Sequence, residues 1–433
     1  MANALDPHAA IATQAGGVDT DGGLRTADGQ PLARALARSS RRARRRAFLL
    51  VLPLLLFVLI TFVLPIGQML QRSVKNDGFS ANMPQLSAWF AENPRGTEPD
   101  EAAWAALAAD LTAAAQNRTI GVVGTRINYD MPGTRSLFTS AGRKLRDGLE
   151  PPYRDAVLAL DRKWGDARLW SVMREAASPY TGNFYLAAMD RTRDEQGQIV
   201  QAPEQQRIYL KLFLRTFWLS LVITGTTFLL GFPIAHLLAT LPMRQSNLLM
   251  ILVLLPFWTS LLVRTTAWMV LLQQQGVVND ILVWLGIIGD GSRLQMIFNQ
   301  TGTIIAMTHI LLPFMILPLY SVMRTINPSY VRAARSLGAT SWTAFRRIYF
   351  PQTLPGLGAG ALLVFILAVG YYITPALVGG STGQLISNMI AMHMTQTLNW
   401  SMAAALAALL LAGVLILYWL YDRLVGIDNL KLG

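Results

Sequence analysis

Side chains that ordinarily carry chemistry are few in this sequence and stand apart. None of the 433 residues is cysteine, which removes disulfides, thiolate metal sites and thiol nucleophiles together. The four histidines, His8, His236, His309 and His393, lie far apart in sequence and form no H-E-x-x-H pair, so no metal site is expected. No G-x-x-x-x-G-K-[ST] loop is present, so the chain does not bind ATP through a phosphate loop of its own. Past residue 208 the only acids are Asp280, Asp290, Asp422 and Asp428. What remains suits conduction better than bond-making. Arg264 shares an apolar run with Trp258, Thr259 and Trp268, and Tyr371 and Tyr372 adjoin on another. Aromatic faces attract cations, and a charge inside an apolar run marks a functional site by default. These six residues are the candidate translocation path. Packing, an interfacial aromatic belt and snorkelling of Arg264 are the plainer readings of the same side chains. No catalytic residue, metal or cofactor is assigned.

The elements that must position them are membrane spans. Hydrophobic residues make up 52% of the chain and charged residues 14%, against roughly 25% charged in soluble domains. Six apolar runs reach the about 20 residues that cross a bilayer. They are Ala47 to Leu70, Leu212 to Leu238, Leu248 to Leu272, Gly302 to Met323, Leu357 to Leu377 and Ser401 to Tyr421. The first follows Arg41-Arg42-Ala43-Arg44-Arg45-Arg46, is too long for a signal-peptide core and lacks a small-residue cleavage site. It reads as an uncleaved anchor with the N-terminus in the cytoplasm. Six spans return the C-terminus to the same side. The short segments then expected inside hold thirteen basic residues and the short outer loops hold one, Arg293, as the positive-inside rule requires. The net charge of +12 is thereby accounted for beside the spans, and no nucleic-acid partner is expected.

The expected organisation is a disordered basic tail (1–46), a first span (47–70), a periplasmic insertion (71–208), a five-span core (209–423) and a cytoplasmic tail (424–433). The insertion is charge-neutral overall. Its Ala-rich stretch from Asp100 to Ala115, with Trp104, Leu107 and Leu111 at helical spacing, points to a small helical domain. Asn93-Pro94-Arg95-Gly96, Pro132-Gly133 and Pro151-Pro152 divide it. The fold class is therefore an all-α membrane protein: six transmembrane helices, an anchor plus five, with a helical insertion between helices one and two.

The loop 326–351, between spans four and five, has the most shape. Asn327 can cap a helix that begins at Pro328. Ala333, Ala334 and Leu337 share a face, and Gly338 is set to end the helix in a left-handed cap. Ser341 is the expected cap of a second helix, with Trp342, Phe345, Ile348 and Tyr349 as its apolar stripe and Pro351 as its stop. Five arginines and no acid surround it. The result is a knob suited to a groove on a cytoplasmic protein.

The series Ala333-Ala334-x3-Gly338-x9-Ile348-x-Phe350-Pro351 resembles the "EAA" loop of permease subunits of type I ABC importers, with Arg332 where that family usually has Glu. The resemblance runs from about Arg215 to Asp422. Leu255-Pro256-Phe257-Trp258-Thr259-Ser260, Gly276-Val277-Val278-Asn279, Leu312-Pro313-Phe314-Met315-Ile316-Leu317-Pro318 and Pro375-Ala376-Leu377-Val378-Gly379-Gly380 resemble its spermidine/putrescine branch. It implies an inner-membrane permease with no enzymatic activity of its own. The implied partners are a cytoplasmic ABC ATPase dimer, a second permease subunit, a periplasmic solute-binding protein and the lipid bilayer. Arg332, Ala333, Ala334, Gly338, Ile348 and Pro351 become the ATPase-coupling residues, and a polyamine the first-choice solute. Some polyamine permeases carry Glu in span five where this chain reads Gly370-Tyr371-Tyr372. An amino-acid derivative, an opine-like compound or a carboxylate is the alternative solute. An ion-driven carrier is disfavoured because the spans contain no Asp or Glu. A membrane-anchored receptor would not need a shaped loop.

Overall fold

The structure, a computed structural model, describes residues 32–145, 148–194 and 196–425. Among these described residues, five helices are long and apolar enough to cross a membrane, or six if one bent pair counts as a single span. Residues up to Met69 form one unit and those from Leu70 onward another. In the first unit the helix begins at Leu32, upstream of the expected start at 47, so the Arg41–Arg46 cluster is itself helical. It continues through a π turn at Leu59–Val63 into Leu64–Arg72. The remainder of the expected disordered tail, 1–31, and the C-terminal residues 426–433 lie outside the described residues.

The second unit contains the insertion and the remaining spans. The insertion is helical, as its periodicity predicts. Asp100 accepts a hydrogen bond from the Ala103 amide at 2.9 Å and starts the Glu101–Gln116 helix, which buries Trp104, Leu107 and Leu111. These join Phe79, Phe138, Trp164, Trp170 and Met173 in one apolar core. Trp104 meets Trp170 edge-on at 4.9 Å, and Phe138 meets Trp164 likewise at 4.9 Å. Gly96 and Gly133 take φ of +86° and +95° at two of the expected turns. An antiparallel hairpin, Arg191–Arg193 with Ile199–Gln201, was not expected. Its strands are only three residues long, too short for an alternating pattern to register.

The membrane core is built on the Tyr209–Thr240, Gln300–Thr325 and Phe350–Gly370 helices, whose inner faces share one cluster from Ile223 to Ala368. Close approach depends on small residues. A Cβ on Gly356 would stand 2.9 Å from both the Pro318 carbonyl oxygen and Val322 Cβ, and one on Gly360 3.0 Å from Met315 Sδ. Pro233, Pro313 and Pro318 sit within unbroken helices, since neighbouring helices tolerate the lost donor.

Two expected spans have different shapes. The third is not one helix: Met243–Trp258 and Leu261–Leu271 meet at 97°. Pro256 opens a tight 3-10 turn, after which Thr259 and Ser260 are extended. The fifth runs from Ser341 to Gly370 rather than from Leu357 to Leu377. It ends at Tyr371, whose backbone is extended, and short helices at Ile373–Val378 and Gly380–Gly383 follow.

Candidate coupling knob and intramembrane cluster

The knob forms from local chain chemistry. Asn327 accepts from the Ser329 amide at 2.9 Å, with Pro328 at the helix start. The helix spans Pro328–Ser336. The Gly338 amide donates to the Arg335 carbonyl and the Ala339 amide to the Ala334 carbonyl, both at 3.0 Å, while Gly338 holds φ +88°. That closure needs a residue without a Cβ. Two details differ from expectation. The second helix is capped by Thr340, not Ser341: its hydroxyl accepts from the Thr343 amide at 3.2 Å. Pro351 does not stop it. A π turn over Phe345–Tyr349 widens the helix just before the proline, with the Phe350 amide bonding Phe345, and the helix runs on into the fifth span. The missing proline donor falls at the first turn of the following helix, where it is tolerated.

Among the residues expected to couple to an ATPase, Arg332, Ala333, Gly338 and Pro351 are exposed, while Ala334 and Ile348 are half-buried. Leu337 is 89% exposed, Trp342 67% and Tyr330 56%. Three large apolar side chains with no cover thus stand among exposed Arg332, Arg335, Arg346 and Arg347. The other side of the knob is anchored. Phe345 stacks on Trp342 at 5.7 Å and meets Phe232 of the second span edge-on at 6.1 Å. Tyr349 shares a 3.0 Å hydrogen bond with His236 Nδ1, and Arg324 donates to the Ala239 carbonyl at 3.0 Å. A push on the knob therefore reaches the second, fourth and fifth spans through packed groups.

The six path candidates separate. Trp268 alone of them meets a histidine, His309 of the fourth span. Trp268 Nε1 donates to His309 Nδ1 at 3.1 Å with the rings edge-on at 5.4 Å. Arg264 and Tyr371 are half-buried, and Arg264 Nε has no hydrogen-bond partner among the described residues. Thr265 and Thr374 share a buried 3.2 Å hydrogen bond that ties the second half of the bent pair to the helix after the Tyr371 break. At that break Ser387 Oγ donates to the Tyr371 carbonyl at 2.5 Å and Asn388 Nδ2 to the Tyr372 carbonyl at 2.8 Å. Unwound backbone at membrane depth is thus satisfied by protein. Trp258, 74% exposed, and Thr259, whose hydroxyl turns back to the Pro256 carbonyl at 2.9 Å, stand at the bend itself. Tyr372 is exposed. His309, Thr265, Thr374, Ser387 and Asn388 were not singled out from sequence. A histidine in an apolar run was the one available signal.

Residues 216–426 match the family described as "Binding-protein-dependent transport system inner membrane component". Over 222 residues the chain is 35% identical to the spermidine/putrescine transport system permease protein PotB of Escherichia coli (strain K12), covering 51% of this chain and 80% of that protein. The protein of the same name from Haemophilus influenzae is 32% identical over 228 residues, 52% of this chain and 79% of its own length. A bacterial ABC transporter involved in the import of the acidic polysaccharide alginate aligns over 51% of this chain and 81% of its own, with 20% identity and a TM-score of 0.41. The chain belongs to the inner-membrane components of binding-protein-dependent transport systems, the permease subunits of ABC importers.

Proposed function

We propose that this permease carries a polyamine inward, driven by ATP hydrolysis on a separate ATPase dimer. The observation that carries the reading is the 35% identity, across 222 residues, to a permease named for spermidine and putrescine. A periplasmic binding protein delivers the solute and a second permease subunit completes the path. The ATPase dimer grips Arg332 to Pro351, and its closure rocks the core between inward- and outward-facing states. Among the path candidates, Trp258, Trp268, Tyr371 and Tyr372 offer aromatic faces to a polycation.

Both termini are read as cytoplasmic, which requires the bent pair to cross the bilayer. Charge supports that. Were Met243–Leu271 re-entrant, the arginine-rich 324–356 loop would fall on the same side as the insertion, against the positive-inside rule.

The test is reconstitution of the four kinds of subunit in liposomes with labelled spermidine. Saturable, ATP-dependent uptake competed by putrescine and not by amino-acid derivatives or carboxylates is expected. Full ATP turnover with no polyamine uptake would remove the solute assignment. Failure to co-purify an ATPase would remove the coupling assignment.

A further inference from the structure

Several arginines in the chain have work inside it. Arg293 is held by Asp280 at 2.7 Å and Asp290 at 2.8 Å, and Arg126 by Asp130. The knob's arginines differ. Arg332, Arg335, Arg346 and Arg347 are all exposed, and none pairs with an acid among the described residues. No Asp or Glu lies between Asp290 and Asp422. Two of the four have a defined place. On the Pro328–Ser336 helix, Val331 packs on the core cluster and Ala334 is half-buried, which fixes the inward face. With 3.6 residues per turn, Tyr330 and Leu337 then share one edge of the outward face, and Arg332 and Arg335 share the other. Between the edges lie Ser329, Ala333 and Ser336, all exposed. The helix thus presents a ridge of small residues with one apolar edge and one basic edge.

Like charges one turn apart weaken a helix slightly, so folding does not account for the basic edge. We propose that the ATPase groove receiving this helix has two unlike lips, one apolar and one lined with carboxylates, and that Arg332 and Arg335 select and orient the ATPase through the second. The inference rests on the reading of the knob as the ATPase contact, and adds the chemistry of the partner's surface. A guanidinium meets a carboxylate through two parallel hydrogen bonds. Two of them along one edge allow the helix a single direction in the groove, since reversal would set arginine against the apolar lip. Arg346 and Arg347 add to the same positive field. Charge at such a rim acts mainly on the rate of encounter and on its salt dependence. Leu337 supplies the burial, and the arginines choose the partner.

The experiment adds the purified ATPase to the permease pair in nanodiscs and reads association and dissociation rates at about 0.05 M and about 0.5 M salt. Wild type is compared with Arg332→Gln/Arg335→Gln, Arg332→Glu/Arg335→Glu and Leu337→Asp, in phosphatidylcholine alone and with phosphatidylglycerol added. Gln and Glu form helix about as well as Arg, so the melting temperature should hold. At low salt the neutral pair is expected to slow association about tenfold and the reversed pair about a hundredfold, with dissociation moving less. The neutral pair should also lose most of the salt dependence that wild type shows. It keeps the test open if the reversed pair fails to assemble. Association at the wild-type rate in both pairs would overturn the acidic lip, and an impaired Leu337→Asp would then leave the knob as the contact. If Leu337→Asp also bound normally, the coupling reading would fall too. An arginine effect confined to discs with phosphatidylglycerol would overturn the proposal in favour of lipid phosphate.

Discussion

Leu337 is the residue whose position is hardest to explain by folding. It caps the end of the Pro328–Ser336 helix, yet 89% of it is exposed beside Gly338 at φ +88°. An exposed side chain contributes little to stability, and its replacement usually shifts stability by no more than about 0.5 kcal/mol. A leucine buried at the centre of an interface is worth far more, about 2 kcal/mol or above when it is a hot spot. Leu337→Asp should therefore leave insertion and melting temperature unchanged and weaken ATPase co-purification by about thirtyfold. Retained ATPase binding would move the contact off the knob tip. Gly338→Ala asks a different question at the next position. It strains the left-handed cap by about 1–2 kcal/mol and misdirects Leu337 without removing it. Its effect on ATPase co-purification should therefore be smaller than the aspartate's.

At the scale of elements, one histidine should make a junction between two helices sensitive to pH. His393, on the Ile386–Thr395 helix, is buried, with Nε2 2.9 Å from the Tyr209 hydroxyl and Nδ1 3.0 Å from Thr397 Oγ1. Burial holds its imidazole below the ordinary value of 6.5. A depressed histidine stabilises the fold above the unfolded value, and that contribution is lost as pH falls through the folded one. The junction of the Ile386–Thr395 helix with the start of the second span should thus loosen as pH drops below about 6.5. Faster amide exchange at residues 386–397 would register the loosening. His393→Gln, which titrates nowhere in that range, should abolish the pH dependence. If protection from exchange, corrected for its intrinsic pH dependence, is the same at pH 5.5 and 7.5 in the wild type, the histidine does not control the junction. That pairing also marks the limit of what sequence reveals. Helix ends were legible at Asn327, Pro328, Gly338 and Asp100, which each act within a few residues, but not at Ser341, where Thr340 is the cap, or at Pro351, where the helix runs on. The His393–Tyr209 and His236–Tyr349 contacts join residues 184 and 113 positions apart. The break in the third span was half-visible. Pro256 was noted, but proline alone did not distinguish a break from the unbroken helices around Pro233, Pro313 and Pro318. For the site, residue types flagged Arg264, while its neighbours depended on which helix faces meet.

At the scale of the whole molecule, the insertion is held to the core in two different ways, and these can be cut apart. Its body, Phe79 to Ala176, has an apolar core made entirely of its own residues. The chain enters and leaves that body side by side. The Thr181 amide donates to the Val74 carbonyl at 2.8 Å, and Lys75 lies opposite Tyr180 in an antiparallel bridge. The following stretch bridges to the core while keeping contacts to the body, with Asn183 and Arg193 on Glu175 and Phe184 under Arg126. Phe184 and Ala188 pack with Leu212, Ile386, Met402 and Leu406. The Asp190 carboxylate accepts the Tyr209 and Leu210 amides, each at 3.0 Å, at the head of the second span. Removing 71–208 outright would bare that cluster and leave those amides without their acceptor, so lost transport would report damage and not function. Removing residues 76–179 and joining Lys75 to Tyr180 through an Asn-Gly turn suits the paired neck and leaves the buttress in place. The shortened permease should insert, melt within a few degrees of the intact chain and still co-purify its ATPase. If the insertion receives the solute-loaded binding protein, capture should weaken at least about tenfold, 1.4 kcal/mol, while solute-independent ATP turnover stays at the wild-type level. Capture at wild-type affinity would assign docking to the core's own outer loops. The body of the insertion would then have to act on something other than solute delivery.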